Sequence, residues 1–446
     1  MKYSEAVDYL DSRIVLGVKP SLDRIRALCT LMGDPQDGYR AVQVTGTNGK
    51  TSVSQMISSI LRGCGYRVGI FTSPHLETVR ERITVSGRNI SVNHFAETLT
   101  EIAPLVEKAE AMSGETLTYF EVVTAVAYSY FRHSGIDVAV LEVGMGGRWD
   151  ATNVVNSEVA VITNIDIDHV DELGSTREKI AYEKVGIINE GATVITAEGR
   201  KEILAIISER CQEMGAEMRA FGRDFRIEYL LPYRVAGEQP AQIMSVRGLE
   251  GTEFTDIKLP MLGKHQVVNA ACAIAAAQVY AGPREKADPV AFRDALESLR
   301  IPGRLEAFRD HPLVVVDGAH NVLGADRLAA ALKGEFEYGK LVIVTSILKD
   351  KDARGILRIL GAVSDEVVVT ENRSARSVPA MKLGTICRME GITHRVEPVF
   401  SSAMEIAYNS AGWDGLVCVT GSLYTVAEAR VYFRRQRESR EMRQDR

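Results

Sequence analysis

A short β-branched run, Ala41-Val42-Gln43-Val44, opens directly into Thr45-Gly46-Thr47-Asn48-Gly49-Lys50-Thr51-Ser52, and a helical pattern follows from about Thr51. A strand that turns through two glycines into a helix has few possible uses. The glycines let the backbone curl so that its N–H groups converge on an anion at the helix N-terminus. Lys50 adds a mobile positive charge, and the Thr51 hydroxyl suits a Mg²⁺ ion. The strict phosphate-loop pattern carries a glycine five residues before Gly49, where this chain has Val44, so the match is to the shorter G-T-N-G-K-T form. Gly46, Thr47, Asn48, Gly49, Lys50, Thr51 and Ser52 are therefore candidate phosphate contacts. The bland alternative is a plain strand-turn-helix connection. The Lys-Thr pair after the glycine turn argues against it, because that pair has a mechanism.

A chain of 446 residues exceeds what one ordinary core supports, so two domains are expected. Its hydrophobic content of 46% and charged content of 25% are those of a soluble globular protein. The net charge of −6 argues against general nucleic-acid binding. Six cysteines are scattered without a CxxC pair, which fits reduced thiols better than disulfides or zinc. The N-terminus, Met-Lys-Tyr-Ser-Glu-Ala-Val-Asp, shows no signal-peptide pattern, and no apolar run approaches the ~20 residues that span a bilayer. A cytoplasmic location, without membrane or nucleic-acid partners, is the expectation. The arginine-rich tail, residues 434–446, also holds acidic residues and reads as a solvated helix end.

Apolar β-type runs alternate with helical patterns, which implies a mostly parallel sheet covered by helices. Strands are expected at residues 42–44, 68–71, 138–143, 159–163 and 193–196, and helices at 51–63, 93–112, 119–134 and 175–185. The run 138–143 is apolar on both faces except at Glu142, as in a central strand that ends on a functional carboxylate. Residues 222–260 interleave polar and apolar positions around Gly237, Gly248 and Gly251, which predicts antiparallel hairpins. An alanine-rich helix follows around 269–277. The Pro302-Gly303 break marks a boundary, which gives domains 1–299 and 300–446. The second carries β-type runs at 313–316, 340–345, 366–370 and 415–420 and reads as a smaller α/β domain.

Polar clusters fall at the ends of these strands, where open α/β sheets bind ligands. They are the phosphate loop, the Thr72-Ser73 turn, Glu142 to Asn153, and Thr163 to His169. Mg²⁺ takes hard oxygen ligands and keeps several waters, so Thr51, Ser73 and Glu142 suffice for one ion. His169 with Glu142 is the candidate pair for a second. The glycines at 144–147 lack the G-x-G-x-x-G spacing of a dinucleotide fold. Lys184, near a helix end, reads either as a solvent lysine or as a buried amine that favours a neutral or modified form. In the second domain Asp317 ends a strand and suits ribose hydroxyls, with His320 against a base; helix capping is the structural alternative.

Taken in order, residues 45–52, 72–76, 141–153, 168–169, 183–188, 262–269, 302–306, 317–321, 349–352 and 421–430 resemble the folylpolyglutamate synthase and dihydrofolate synthase family. That family belongs to the Mur-ligase-like ATP-dependent amide-forming enzymes. The resemblance implies an N-terminal P-loop-type ATPase domain, a C-terminal Rossmann-like domain, and ATP between them. It implies that Lys50 binds the terminal phosphates and that Thr51, Ser73, Glu142 and His169 serve two Mg²⁺ ions. Lys184 falls on the lysine that family members carbamylate. Asn269 and Arg304 would contact phosphates, Asp317 and His320 the nucleoside, and Phe120 and Asp150 the pteroate or folate. Asp166 stands where glycine is usual, and Trp149 where leucine is common.

The implied chemistry is ligation of L-glutamate to dihydropteroate or to a reduced folate through an acyl phosphate, by a monomer. A cell-wall Mur ligase shares the loop but needs a further N-terminal domain, and the loop here begins at residue 45. A nucleotide-gated switch is the rival outside the enzymes; the oxygen-rich metal set and the second domain argue against it.

Overall fold

The computed structural model describes residues 1–14, 20–234, 240–282, 288–308 and 311–444, with side chains described as far as 436. Gly237, Asp445 and Arg446 lie outside the described residues. The tail up to residue 444 belongs to the helix Leu423–Gln444.

The chain forms two compact units. The first comprises Met1–Leu231, Ile243–Leu259 and Gln266–Leu299, and the second Pro232–Gln242, Pro260–His265 and Arg300–Arg446. In the first, eight strands lie in the order Arg88–Asn89, Ile83–Val85, Val68–Phe71, Val138–Glu142, Arg40–Thr45, Val159–Ile162, Thr193–Thr196 and Glu217–Ala220. From Val68–Phe71 onward all neighbours are parallel, and only the two short strands at one edge run antiparallel. The central strands are buried along nearly their whole length, which is why they read as unbroken apolar runs. Each fully buried Val, Ile or Leu side chain contributes about 1.5–3 kcal/mol over an exposed one.

Val138–Glu142 occupies the centre, with Val44 paired to Glu142 in register. That register sets the carboxylate beside the exit of the strand that feeds the phosphate loop. The helices Lys50–Gly63, Val92–Ser113, Tyr119–His133 and Arg177–Lys184 begin and end within two residues of the expected bounds. The alanine-rich helix Lys264–Ala281 is buried nearly all round, because small side chains allow close packing on every face. Arg226–Tyr233, Ala241–Arg247 and Glu253–Leu259 form a separate three-stranded sheet in the stretch read as hairpins.

The second unit holds a six-stranded sheet in the order Glu306–Phe308, Leu313–Val316, Leu416–Thr420, Leu341–Thr345, Glu366–Val369 and His394–Val396. All its pairings are parallel except that of Glu306–Phe308. Helices such as Val322–Glu335 and Ala353–Gly361 bury Leu328, Leu332, Ile356, Leu357 and Leu360 in one cluster with Val315, Ile343 and Val367.

Candidate active site

The phosphate loop is held from below by the strand end beside it. Thr47 N donates to Asn164 O (2.8 Å), Asn48 N donates to Asn164 Oδ1 (3.2 Å), and Thr163 Oγ1 donates to Asn48 O (2.7 Å). Thr163 and Asn164 thus shape the loop, a role no motif announced. Gly49 caps the following helix at φ 87°, where a Cβ would sit 2.7 Å from Asn269 Oδ1. The same close approach brings Asn269, a predicted phosphate contact, to the loop from a helix far along the chain. Asn269 is 5% exposed, and its amide donates to Gln266 Oε1 (3.0 Å).

Lys50 folds back over its own turn, its Nζ donating to Gly46 O (3.0 Å) and Thr47 O (3.3 Å). Lys184, at the end of the helix Arg177–Lys184, reaches the same Gly46 carbonyl at 3.0 Å. It is 3% exposed, so the solvent-lysine reading fails. Burial, with the charge of Lys50 second, brings its pKa down from 10.5 to about 7, while Asp168 and Asp150 pull the other way.

Glu142 is 1% exposed and takes a hydrogen bond on each carboxylate oxygen: Thr51 Oγ1 donates to Oε1 (2.8 Å) and Ser73 N to Oε2 (3.1 Å). Three of the four predicted metal residues are therefore joined. His169 stands on another loop, at φ 51°, where its amide donates to Asp168 Oδ1 (2.9 Å). Among the described residues, no three His, Cys, Asp or Glu side chains gather as a metal cluster. Hydroxyls with a single carboxylate are nonetheless a donor chemistry that fits Mg²⁺, which keeps much of its water.

Asp166 is matched by Arg177 (2.8 Å) and Arg200 (3.4 Å), and its backbone exchanges hydrogen bonds with the Thr47 hydroxyl. Its negative charge is therefore locally balanced by two arginines. Asp150 is buried, and its carboxylate accepts from Met145 N (3.0 Å), Thr152 N (3.0 Å) and Thr152 Oγ1 (2.6 Å). Burial raises its pKa against the pull of those donors. Phe120, half-buried, packs 5.7 Å from Phe71 and against Gly144, two residues beyond Glu142. Ser52 is buried within the first turn of its helix.

In the second unit, Asp317 accepts from Leu305 N (2.9 Å) and Ala319 N (2.9 Å). Burial raises its pKa, and the charge of Arg304 opposes that shift. Arg304 and Asp317 are thus neighbours. His320 Nδ1 lies 2.8 Å from Gly318 O and so carries the proton there. Asn321 takes the capping role, accepting from Gly324 N (2.8 Å). Sequence reading passed over His265, whose pKa falls to about 3 through burial and then the charges of Arg327 and Arg304. A neutral imidazole beside two guanidiniums left no trace in any local pattern.

Two family models match the chain: the Mur ligase middle domain over residues 44–277, and the Mur ligase glutamate ligase domain over residues 303–423. A dihydrofolate synthase/folylpolyglutamate synthase of Mycobacterium tuberculosis is 38% identical, with 94% of this chain and 91% of the relative covered. Its Bacillus subtilis counterpart is 34% identical, with 96% and 98% covered. The Mycobacterium tuberculosis folylpolyglutamate synthase complexed with ADP superposes with a TM-score of 0.90 at 36% identity, over 97% of this chain and 98% of that one. Escherichia coli FolC in complex with DHPP and ADP gives a TM-score of 0.84 at 30% identity, over 98% and 99%. Matched along nearly its whole length by such proteins, the chain belongs to the Mur ligase family, within its dihydrofolate synthase/folylpolyglutamate synthase group.

Proposed function

We propose that this enzyme joins L-glutamate to dihydropteroate, to the γ-carboxylate of a reduced folate, or to both, with ATP cleaved to ADP and phosphate. The observation that carries the reading is the convergence of Lys50 and Lys184 on the Gly46 carbonyl, in the unit where Glu142 takes the Thr51 hydroxyl. A carboxylate is a poor acyl donor. Its oxygen attacks the γ-phosphorus of ATP, the bond to the bridging oxygen breaks, and ADP leaves. The acyl phosphate then takes the glutamate amine at its carbonyl carbon; the amine loses a proton, and phosphate departs from the tetrahedral intermediate.

The loop amides and Lys50 neutralise charge on the transferring phosphoryl group. Mg²⁺, held by Thr51, Ser73 and Glu142 with a second ion toward His169, would supply further charge neutralisation there. Asn269 and Arg304 are assigned to phosphates, and Asp317 and His320 to the nucleoside. Phe120 is assigned as an aromatic wall for the pteridine-bearing substrate. Asp150, with its carboxylate filled by amides and a hydroxyl, shapes the loop around that substrate. The buried amine of Lys184, with its depressed pKa, is suited to react with CO₂, which would turn a repelled cation into an anion. The working form is taken as a cytoplasmic monomer; separately, no described helix is long and apolar enough to cross a membrane.

The test is the purified protein with ATP, glutamate and either dihydropteroate or tetrahydrofolate. ADP release that requires both glutamate and one pterin substrate, with the matching amide in mass spectrometry, is the expected result. ADP release indifferent to both would make the protein a nucleotide-gated switch.

A further inference from the structure

Arg24 is 2% exposed, and nothing in the chemistry above uses it. It lies on the helix Asp23–Leu31, which buries Ile25, Leu28 and Cys29 in the apolar core. Its Nε donates to both oxygens of Glu121 (3.1 and 3.4 Å), and its Nη1 pairs with Glu115. Glu121 is 5% exposed and closes the N-terminus of the helix Tyr119–His133. Its Oε2 accepts from Thr118 N (2.7 Å) and Thr118 Oγ1 (2.8 Å), and Glu121 N donates back to Thr118 Oγ1 (3.3 Å).

That reciprocal cap needs no arginine, because a glutamine serves it equally well. A desolvated guanidinium is costly to bury for stability alone, and a well-packed apolar residue often does as well. What Arg24 adds is a lateral tether on the first turn of this helix, from a separate part of the chain. That turn also carries Phe120, whose ring abuts Gly144 so tightly that a Cβ there would lie 2.7 Å from Phe120 Cζ. Gly144 follows Glu142 out of the central strand. A small shift of the first turn would therefore move the aromatic wall against the strand end that carries the carboxylate.

We infer that Arg24 is a positioning residue for the pteridine-bearing substrate, acting through Glu121 to fix the ring of Phe120 against Gly144. The inference rests on the assignment of Phe120 to that substrate. The test measures KM for ATP and for whichever of dihydropteroate and tetrahydrofolate is ligated, in Arg24→Met, Phe120→Leu and the double variant. Arg24→Met should raise the pterin-substrate KM by about tenfold, with kcat within about threefold and the KM for ATP unchanged. In the double variant the two effects should not add, since both act through one ring. Arg24→Met leaves Glu121 uncompensated, so Arg24→Met/Glu121→Gln is the companion where folding suffers: the cap survives, the buried charge is gone, and the raised KM should persist. A raised KM in Phe120→Leu beside a normal one in folded Arg24→Met, or in its companion, overturns the inference alone. Additive effects overturn it as well. A normal KM in Phe120→Leu overturns the substrate assignment and the inference with it.

Discussion

Lys50 and Lys184 donate to the same backbone oxygen, each Nζ lying 3.0 Å from the carbonyl of Gly46. Two basic side chains this close raise each other's cost of carrying charge, and the one with less water around it yields first. The two lysines are not equivalent. Lys50 is half-buried on a flexible stem, while Lys184 is almost fully enclosed and carries the depressed pKa.

The first prediction turns on that depression. A lysine whose pKa falls from 10.5 unfolded to about 7 folded burdens the native state in full below pH 7, and the burden fades as pH rises toward 10.5. Lys184→Met should therefore stabilise the nucleotide-free protein near neutral pH, by roughly 1–3 kcal/mol after loss of the Gly46 hydrogen bond. Urea unfolding at about pH 6.5 and about pH 9.5, in buffer freed of CO₂, should show the gain shrinking at the higher pH. An equal gain at both would mean that Lys184 titrates normally. The same variant should lose ligase activity.

Lys50→Ala separates chemistry from folding. Its Nζ donates to carbonyls of its own loop while its charge disfavours that of buried Lys184, so the lost bonds and the relieved repulsion offset, and the unfolding free energy should move by less than about 1 kcal/mol. Turnover should fall by roughly 10²–10³-fold or more, since the charge acts on the transferring phosphoryl group. Near-normal turnover would dismiss the phosphate-loop assignment.

The central sheet was legible in the sequence because parallel strands buried on both faces leave unbroken apolar runs, as in residues 138–142. The strands that escaped notice, Ile83–Val85, Arg88–Asn89, Glu217–Ala220, Glu306–Phe308 and His394–Val396, are short and lie at or beside sheet edges. Their pairing comes from neighbours, which no local pattern records. The site divides in the same way. Lys50, Thr51 and Glu142 announce themselves by spacing and by strand ends. Asn164 and His265 act through contacts with residues distant along the chain. The partners of Asp166, Arg177 and Arg200, stand eleven and thirty-four positions away, so nothing local in the sequence shows that its charge is balanced.

Glu142 offers the metal test. Glu142→Ala removes the acceptor for both the Thr51 hydroxyl and the Ser73 amide, whereas Glu142→Gln keeps one acceptor and turns a donor toward the other. Glu142→Ala thus leaves two part-buried donors unmatched and Glu142→Gln one, each at a cost of about 1–3 kcal/mol. Both should also shift the Mg²⁺ concentration needed for half-maximal activity upward, or abolish activity. A Mg²⁺ titration superimposable on that of the parent would make Glu142 a purely structural strand end.

The last prediction concerns Gly49 and Asn269, which meet at the turn of the phosphate loop. Replacing Gly49 by alanine carries two separable costs. The backbone sits at φ 87°, a left-handed conformation that costs an L-residue roughly 1–2 kcal/mol. The new Cβ would also fall 2.7 Å from Asn269 Oδ1, closer than atoms pack without one of them yielding. Asn269 is buried and hydrogen-bonded to Gln266, so it has little freedom to yield. Gly49→Ala should lower stability by about 2–3 kcal/mol and weaken ADP binding by calorimetry, because the amides that converge on phosphate are displaced. Adding Asn269→Ala removes the clash and leaves the backbone strain. The Gly49→Ala/Asn269→Ala protein should thus lose less stability than the sum of the single variants, by about 1 kcal/mol or more. Strict additivity would show that the loop relaxes away from the Asn269 side chain, and that the contact does not set its shape.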